Sequence, residues 1–145
     1  MKPKPPRQPT GRRLGDCREQ AICDILIARG YSTYRPPRAK FTSQDMHGFD
    51  ICAARRGDPT LWVQSVNESR KADHLAIVDT TPLDPRYNVL ELWIWPRAAG
   101  GKSQERVEVL RLMDARSTGQ WLWHPLQVVV VPQRILEAHK LVGGN

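Results

Sequence analysis

The chain lacks the features that would place it in several large protein classes. No apolar run approaches the ~20 residues needed to cross a bilayer as a helix. Met1 to Arg13 is rich in Pro, Lys and Arg and has no apolar stretch of the kind a secretory leader carries. Cys17, Cys23 and Cys52 form no Cys-x-x-Cys pair and no His cluster matches them, which speaks against a structural zinc site. Such cysteines are expected to be reduced, mostly buried small hydrophobes in a cytoplasmic protein. No internal repeat appears, so a solenoid is not expected.

What the chain does have is positive charge. At 145 residues it fits one domain, with a formal net charge of +7 and a sequence pI of about 9.8. That balance favours a polyanionic partner, because phosphates neutralised by protein cations release condensed counterions. Residues 1–13 form a basic, Pro-rich arm with no apolar face to bury, leaving 14–145 as the folded domain.

Within that domain the pattern predicts a helix over Gly15–Arg29. Leu14, Cys17, Ala21, Ile22, Ile25, Leu26 and Ala28 lie at helical spacing, and Gly30 supplies the stop. Asp16 with Glu19 three residues on has the form of a capping box. After the basic loop Pro36–Asp45, strands are expected over Phe49–Arg55 and Thr60–Asn67, joined by Arg56-Gly57-Asp58-Pro59. Further expected strands are Asn88–Pro96, Glu105–Met113 and one or two short ones between Gln120 and Val131, interrupted by Pro125. A Gly100-Gly101-Lys102 turn joins the first two of these. Pro132 fits the first position of a final helix reaching Leu141, terminated by Gly143-Gly144. The fold class is α/β or α+β, with one central mixed sheet flanked by helices.

The most informative segment is Gly48-Phe49-Asp50 on one strand, followed by Gln64-Ser65-Val66 on its partner. An Asp between Phe49 and Ile51 is a poor strand former in a place where an unpaired carboxylate is costly. With Glu19 on the preceding helix, the order of helix acid, strand acid and strand acceptor resembles the PD-(D/E)XK nuclease superfamily. It is most similar to small Holliday-junction-resolvase-like proteins of bacteria and phages.

The resemblance spans about Arg13 to Val78 and implies a restriction-endonuclease-like fold acting on DNA with Mg²⁺ or Mn²⁺. Asp50 would be the central metal ligand, with Gln64 and Glu19 completing the set, and the ion would activate water for phosphodiester hydrolysis. Branched DNA would be the substrate, a homodimer the working unit, and a bacterial or phage-infected cytoplasm the compartment. The family's lysine would lie two residues after Gln64, where this chain has Val66. Lys71 or Arg70, on the segment that follows, is the alternative source of that cation. Arg12, Arg13, Arg35, Arg38, Lys40 and Arg70 would hold the DNA backbone.

Each assignment has a structural rival. Glu19 would serve a capping box regardless of chemistry, Asp50 could satisfy an arginine, and Gln64 could simply be hydrogen-bonded. His47 reads as a minor phosphate donor or base. Trp93 and Trp95, two residues apart, share one strand face and read as core or as a subunit interface, with the last helix as another candidate interface. The altered Gln64-Ser65-Val66 half leaves a second function open, a nuclease-like domain that binds DNA or a protein without cutting, or a phage accessory protein. Strand register offers a geometric test. A turn centred on Gly57 sets Asp50 opposite Gln64 on one face, whereas a four-residue loop separates them.

Overall fold

The computed structural model describes residues 11–36, 48–96, 106–114 and 116–141, with the side chain of Arg12 outside that set. Six strands form one mixed sheet in sequential order: β1 (Ser32–Tyr34), β2 (Ile51–Ala54), β3 (Thr60–Asn67), β4 (Asn88–Trp95), β5 (Arg106–Met113) and β6 (Leu122–Val130). Every neighbouring pair is antiparallel except β3 with β4. The helices are α1 (Gly11–Ala28), α2 (Lys71–Leu75) and α3 (Gln133–Ala138), with 3₁₀ turns at Glu68–Arg70 and Ala76–Asp79. This is a single-domain α+β fold, as the pattern predicts. No helix among the described residues is long and apolar enough to cross a membrane.

Helix α1 starts earlier than expected, at Gly11 rather than Gly15. Asp16 and Glu19 are therefore interior residues, and the capping-box reading is corrected. The other end follows the sequence closely. Gly30 adopts φ +91°, its N–H donates to the Ile27 carbonyl and the Tyr31 N–H to that of Leu26, both at 3.0 Å. This is a Schellman closure, and the positive φ is why glycine stands there. Ala21, Ile22, Ile25 and Leu26 are buried against Ile51, Val63, Trp93, Trp95, Val107 and Val109. Each buried Ile or Leu contributes about 1.5–3 kcal/mol, so this stripe fixes α1 on the sheet.

Because β3 and β4 run parallel, the chain must cross over one face between them. Residues 68–87 do so. Ile77, Val78 and Leu83 pack on Phe49, Trp62 and Leu90, while Leu75 packs on Val66, Leu92 and Ile94. The sheet thus has a face covered by α1 and α3 and a face covered by the crossover. Both sides of β3 and β4 are dry, which explains their nearly continuous apolar runs. Trp93 and Trp95 are fully buried in the α1-side core, so the subunit-interface reading of these tryptophans is overturned.

The last strands also differ from expectation. β6 runs unbroken from Leu122 to Val130 through Pro125, with a register shift against Val109/Leu110. Proline is tolerated because β6 is an edge strand and its outer side needs no ladder donor. Pro132 stands just before α3, as its N-cap, and the helix ends at Ala138. The Gly100–Lys102 turn and Gly143-Gly144 lie outside the described residues.

One ion pair is deep in this framework. Glu91, 2 % exposed, accepts from Arg111 Nε at 2.9 Å and Nη2 at 2.6 Å through one oxygen, and from Trp93 Nε1 at 3.0 Å through the other. Removing the cation would strand a buried carboxylate. Arg111→Met is expected to cost about 3 kcal/mol or more in urea unfolding, with the double variant Glu91→Leu/Arg111→Met recovering most of it. A single-variant loss under about 1 kcal/mol would contradict this account.

Candidate functional site

The ends of β3 and β4 meet the start of β2, the end of β1 and the middle of α1, and the chemistry-bearing residues of the motif lie around this end of the sheet. The β2–β3 register is the one centred on Gly57, since Ile51 faces Val63, Cys52 faces Trp62 and Ala53 faces Leu61. Extended by one residue, it would set Asp50 opposite Gln64. The regular ladder stops first. Phe49 joins the crossover-side cluster with Trp62, and Ile51 joins the α1-side cluster. Residues two apart on a regular strand share a face, so the chain carries an irregularity at Asp50. The Asp50 N–H donates to the Val63 carbonyl at 3.0 Å, one residue short of the regular position.

This irregularity decides what Asp50 does. β3 runs on beyond β2, leaving the Ser65 N–H on that side without a ladder acceptor. Asp50 Oδ2 accepts from it at 3.0 Å. The carboxylate thus continues the sheet as a side-chain acceptor, a charge-assisted bond of the stronger kind. Gly48 sets up the approach. It adopts φ +91°, and a Cβ there would come within 2.7 Å of Ile77 Cδ1 on the crossover. The Gly-x-Asp motif therefore has a backbone reason for its glycine as well as a chemical reason for its acid.

Gln64 goes elsewhere. β3 pairs with β4 without interruption, so alternation is strict and Gln64 shares the crossover face with Trp62 and Val66. It is 5 % exposed, and its Oε1 is buried without a hydrogen-bond partner. Asp50 is thus bonded to the β3 backbone, while the Gln64 amide oxygen is buried on the crossover face with no such bond. On β3 the residues that look toward α1 are Ser65 and Asn67. Ser65 Oγ accepts from Trp95 Nε1 at 3.1 Å, and Asn67 Oδ1 accepts from Arg18 Nη1.

Glu19 is nearly buried and bound to Arg35, whose Nη2 donates to it at 3.0 Å and to Asp16 Oδ1 at 2.5 Å. Desolvation pulls the Arg35 guanidinium down, but the bonds to Asp16 and Glu19 outweigh it and hold its pKa above the ordinary value. The acid on α1 is thus internally neutralised, and Arg35 is a structural cation rather than a free phosphate contact. Lys71 turns to β5, with Nζ 3.3 Å from Glu108 Oε1 on the crossover side. There it lines a cavity of ≈ 290 Å³ with Glu68, Arg106 and Glu108. Arg70 pairs with Asp73 at 3.5 Å, and Arg13 is exposed. Arg38, Lys40, Asp45 and His47 lie outside the described residues.

The pattern missed Arg18. It is 3 % exposed, stacks 5.4 Å from the Trp95 ring centre and bonds Asn67. Burial pushes its pKa down to about 10. A signal was present in the sequence: Arg18 immediately precedes Glu19, and Asn67 lies two residues after Ser65, where a one-residue shift of the motif would look for the cation. The sheet end thus brings together a cation from α1, an amide and a hydroxyl from β3, and Asp50, which is held by backbone.

Mg²⁺ demands near-octahedral oxygen donors, usually with one or more free carboxylates. Glu19 is committed to Arg35, Gln64 faces away, and no group of three or more His, Cys, Asp or Glu gathers among the described residues. These residues do not fit a carboxylate-bound Mg²⁺ centre. They fit a site whose charges are settled within the protein.

Because burial penalises the Arg18 charge, a neutral side chain of similar reach should be tolerated. Arg18→Met is expected to change unfolding free energy by less than about 1 kcal/mol at neutral pH, in either direction. The sign follows from the lowered pKa: the folded state binds the Arg18 proton less tightly than the unfolded chain, so this group's contribution to stability rises with pH above about 10. Chemical unfolding across alkaline pH should show a smaller rise in the variant than in the parent; equal slopes would refute the assignment. No family model, no curated protein and no solved structure matches this chain.

Proposed function

We propose that this protein is a nuclease-like domain that binds nucleic acid, most simply duplex or branched DNA, without hydrolysing it. One observation carries the second half of the reading. The acid of the motif leaves the regular register and accepts from the Ser65 backbone, and the α1 acid is bonded to Arg35. A metal-activated water needs an ion held by converging oxygen donors, and here both acids already accept bonds from within the protein.

The binding half rests on charge. Residues 1–15 hold Lys2, Lys4, Arg7, Arg12 and Arg13 and no acid, so five of the seven net positive charges precede Asp16. In the domain, by contrast, Arg35, Arg55, Arg70, Lys71, Arg86 and Arg111 are each ion-paired within the protein. Exposed Arg13 begins α1 next to that basic segment, so the phosphate contacts concentrate where α1 starts.

The test is binding and cleavage of labelled linear, flapped and four-way-junction DNA across salt, with and without Mg²⁺ or Mn²⁺. Affinity should fall linearly with the logarithm of salt concentration, and no product should form with either metal. Arg12→Gln/Arg13→Gln should flatten the salt slope by about 0.9 for each phosphate that these arginines neutralise in the parent. Asp50→Asn keeps an oxygen for the Ser65 N–H and should bind like the parent. Metal-dependent cutting abolished by Asp50→Asn would restore the Mg²⁺-endonuclease reading. Salt-insensitive or absent binding would remove nucleic acid as the partner.

A further inference from the structure

The two edges of the sheet are unequal. β1 is three residues long, too short to present much of a free ladder. β6 is nine residues long and pairs with β5 alone among the described strands, so its outer row of backbone N–H and C=O groups faces outward. Proteins normally blunt such an edge with charge, brevity or cover. Among the described residues none of these three is present, and the strand's proline and register shift, at Pro125 and Leu126, leave Gln127–Val130 regular. From Gln120 to Gln133 there is no Asp, Glu, Lys or Arg, in a chain with 26 % charged residues.

The side chains reinforce the point. Of the eight exposed large hydrophobics among the described residues, four lie on β6: Leu122 at 51 %, Leu126 at 37 %, Val128 at 56 % and Val130 at 59 % exposed. A fifth, Met113, is the register partner of Leu122. Val128 and Val130, on the regular stretch beyond the register shift, share one face, and Leu126 stands at the shift itself. The crossover covers the β3 and β4 part of that face and leaves this part bare.

We infer that β6 pairs antiparallel with β6 of a second copy of this chain, joining two sheets into one across a two-fold axis at Val128. The strand is complementary to itself in that register. Val128 meets Val128 of the other copy, and Leu126 meets Val130, so the uncovered apolar side chains become cross-strand pairs. Charge selects this partner over other contacts between copies. Two molecules of net charge +7 repel, and this uncharged strip is where they meet with no like charges opposed. Pro125 falls outside the 126–130 pairing and costs it no donor. The dimer requires neither nucleic acid nor Asp50, so it stands or falls independently of the proposed function.

The experiment is light scattering of the full chain as a function of concentration, with Val128→Lys and Val130→Lys checked for folding by circular dichroism. The parent should be a dimer. Val128→Lys puts two ammonium groups opposite each other at the axis and should weaken the dimer at least about tenfold. A second readout needs no loss of structure. Antiparallel partners lie about 4.5–5.5 Å apart at Cα, within the range of about 4.4–6.8 Å that a disulfide spans. Val128→Cys should therefore give a reducible covalent dimer under oxidation that the parent, with Cys17, Cys23 and Cys52, does not. A parent that stays monomeric, a dimer that survives both lysine variants, or a Val128→Cys protein that crosslinks no more than the parent would each overturn the proposal. Capture of a strand from a different protein at this edge in place of self-association would overturn it too.

Discussion

The parallel pairing of β3 with β4 over eight residues is the constraint from which most of the structure follows. Parallel neighbours cannot be joined by a tight turn, so residues 68–87 must cross one face of the sheet while α1 and α3 close the other. Burial on both faces then requires that every polar group on these strands be settled internally. Glu91 is settled by Arg111 and Trp93, Ser65 by Trp95 and Asp50, and the Trp62 indole by Asn88 at 3.0 Å. Only the Gln64 Oε1 is left over on these two strands. The pairing also fixes where the sheet ends, because β3 outruns β2 and exposes the N–H that Asp50 accepts.

The electrostatics of that sheet end follow from burial as much as from sequence. Arg18 and Glu19 are adjacent on α1 and both nearly buried, yet they take different partners: Arg18 an amide and an indole face, Glu19 a guanidinium. Charges in such a place are held by matched neighbours or not at all. Several of the domain's cations, Arg18, Arg35 and Arg111 among them, are engaged internally, while five of the seven net positive charges lie in the segment leading into α1. On the proposed reading, binding and fold draw on different basic residues, so that one can be altered without the other.

Much of the architecture was legible in local pattern. The α1 stripe, the glycine stop at Gly30, the hairpin register about Gly57 and the strand at Asn88 all rest on periodicity or turn chemistry confined to a few residues. The start of α1 was not legible, because Gly11 to Leu14 offers no apolar spacing, and so Glu19 was assigned to a cap it does not occupy. β6 was read as broken because proline is a poor strand residue, and only its place at the sheet edge makes Pro125 harmless. The buried pair Glu91–Arg111 joins residues twenty apart that gave no local signal at all.

The candidate site divides in the same way. Local pattern alone puts Asp50 at a glycine-led strand entry and Glu19 on the preceding helix, with no lysine two residues after Gln64. Composition sets a net charge of +7, most of it ahead of the domain. Only the tertiary structure decided which of these residues meet. One irregular residue at Asp50 interrupts the alternation between Phe49 and Ile51, and its carboxylate takes the Ser65 N–H where β3 runs on beyond β2. Face and register are properties of a strand, read locally; where a strand stops depends on neighbours far away in the chain, and that is what gave Asp50 the Ser65 backbone and Glu19 the Arg35 guanidinium.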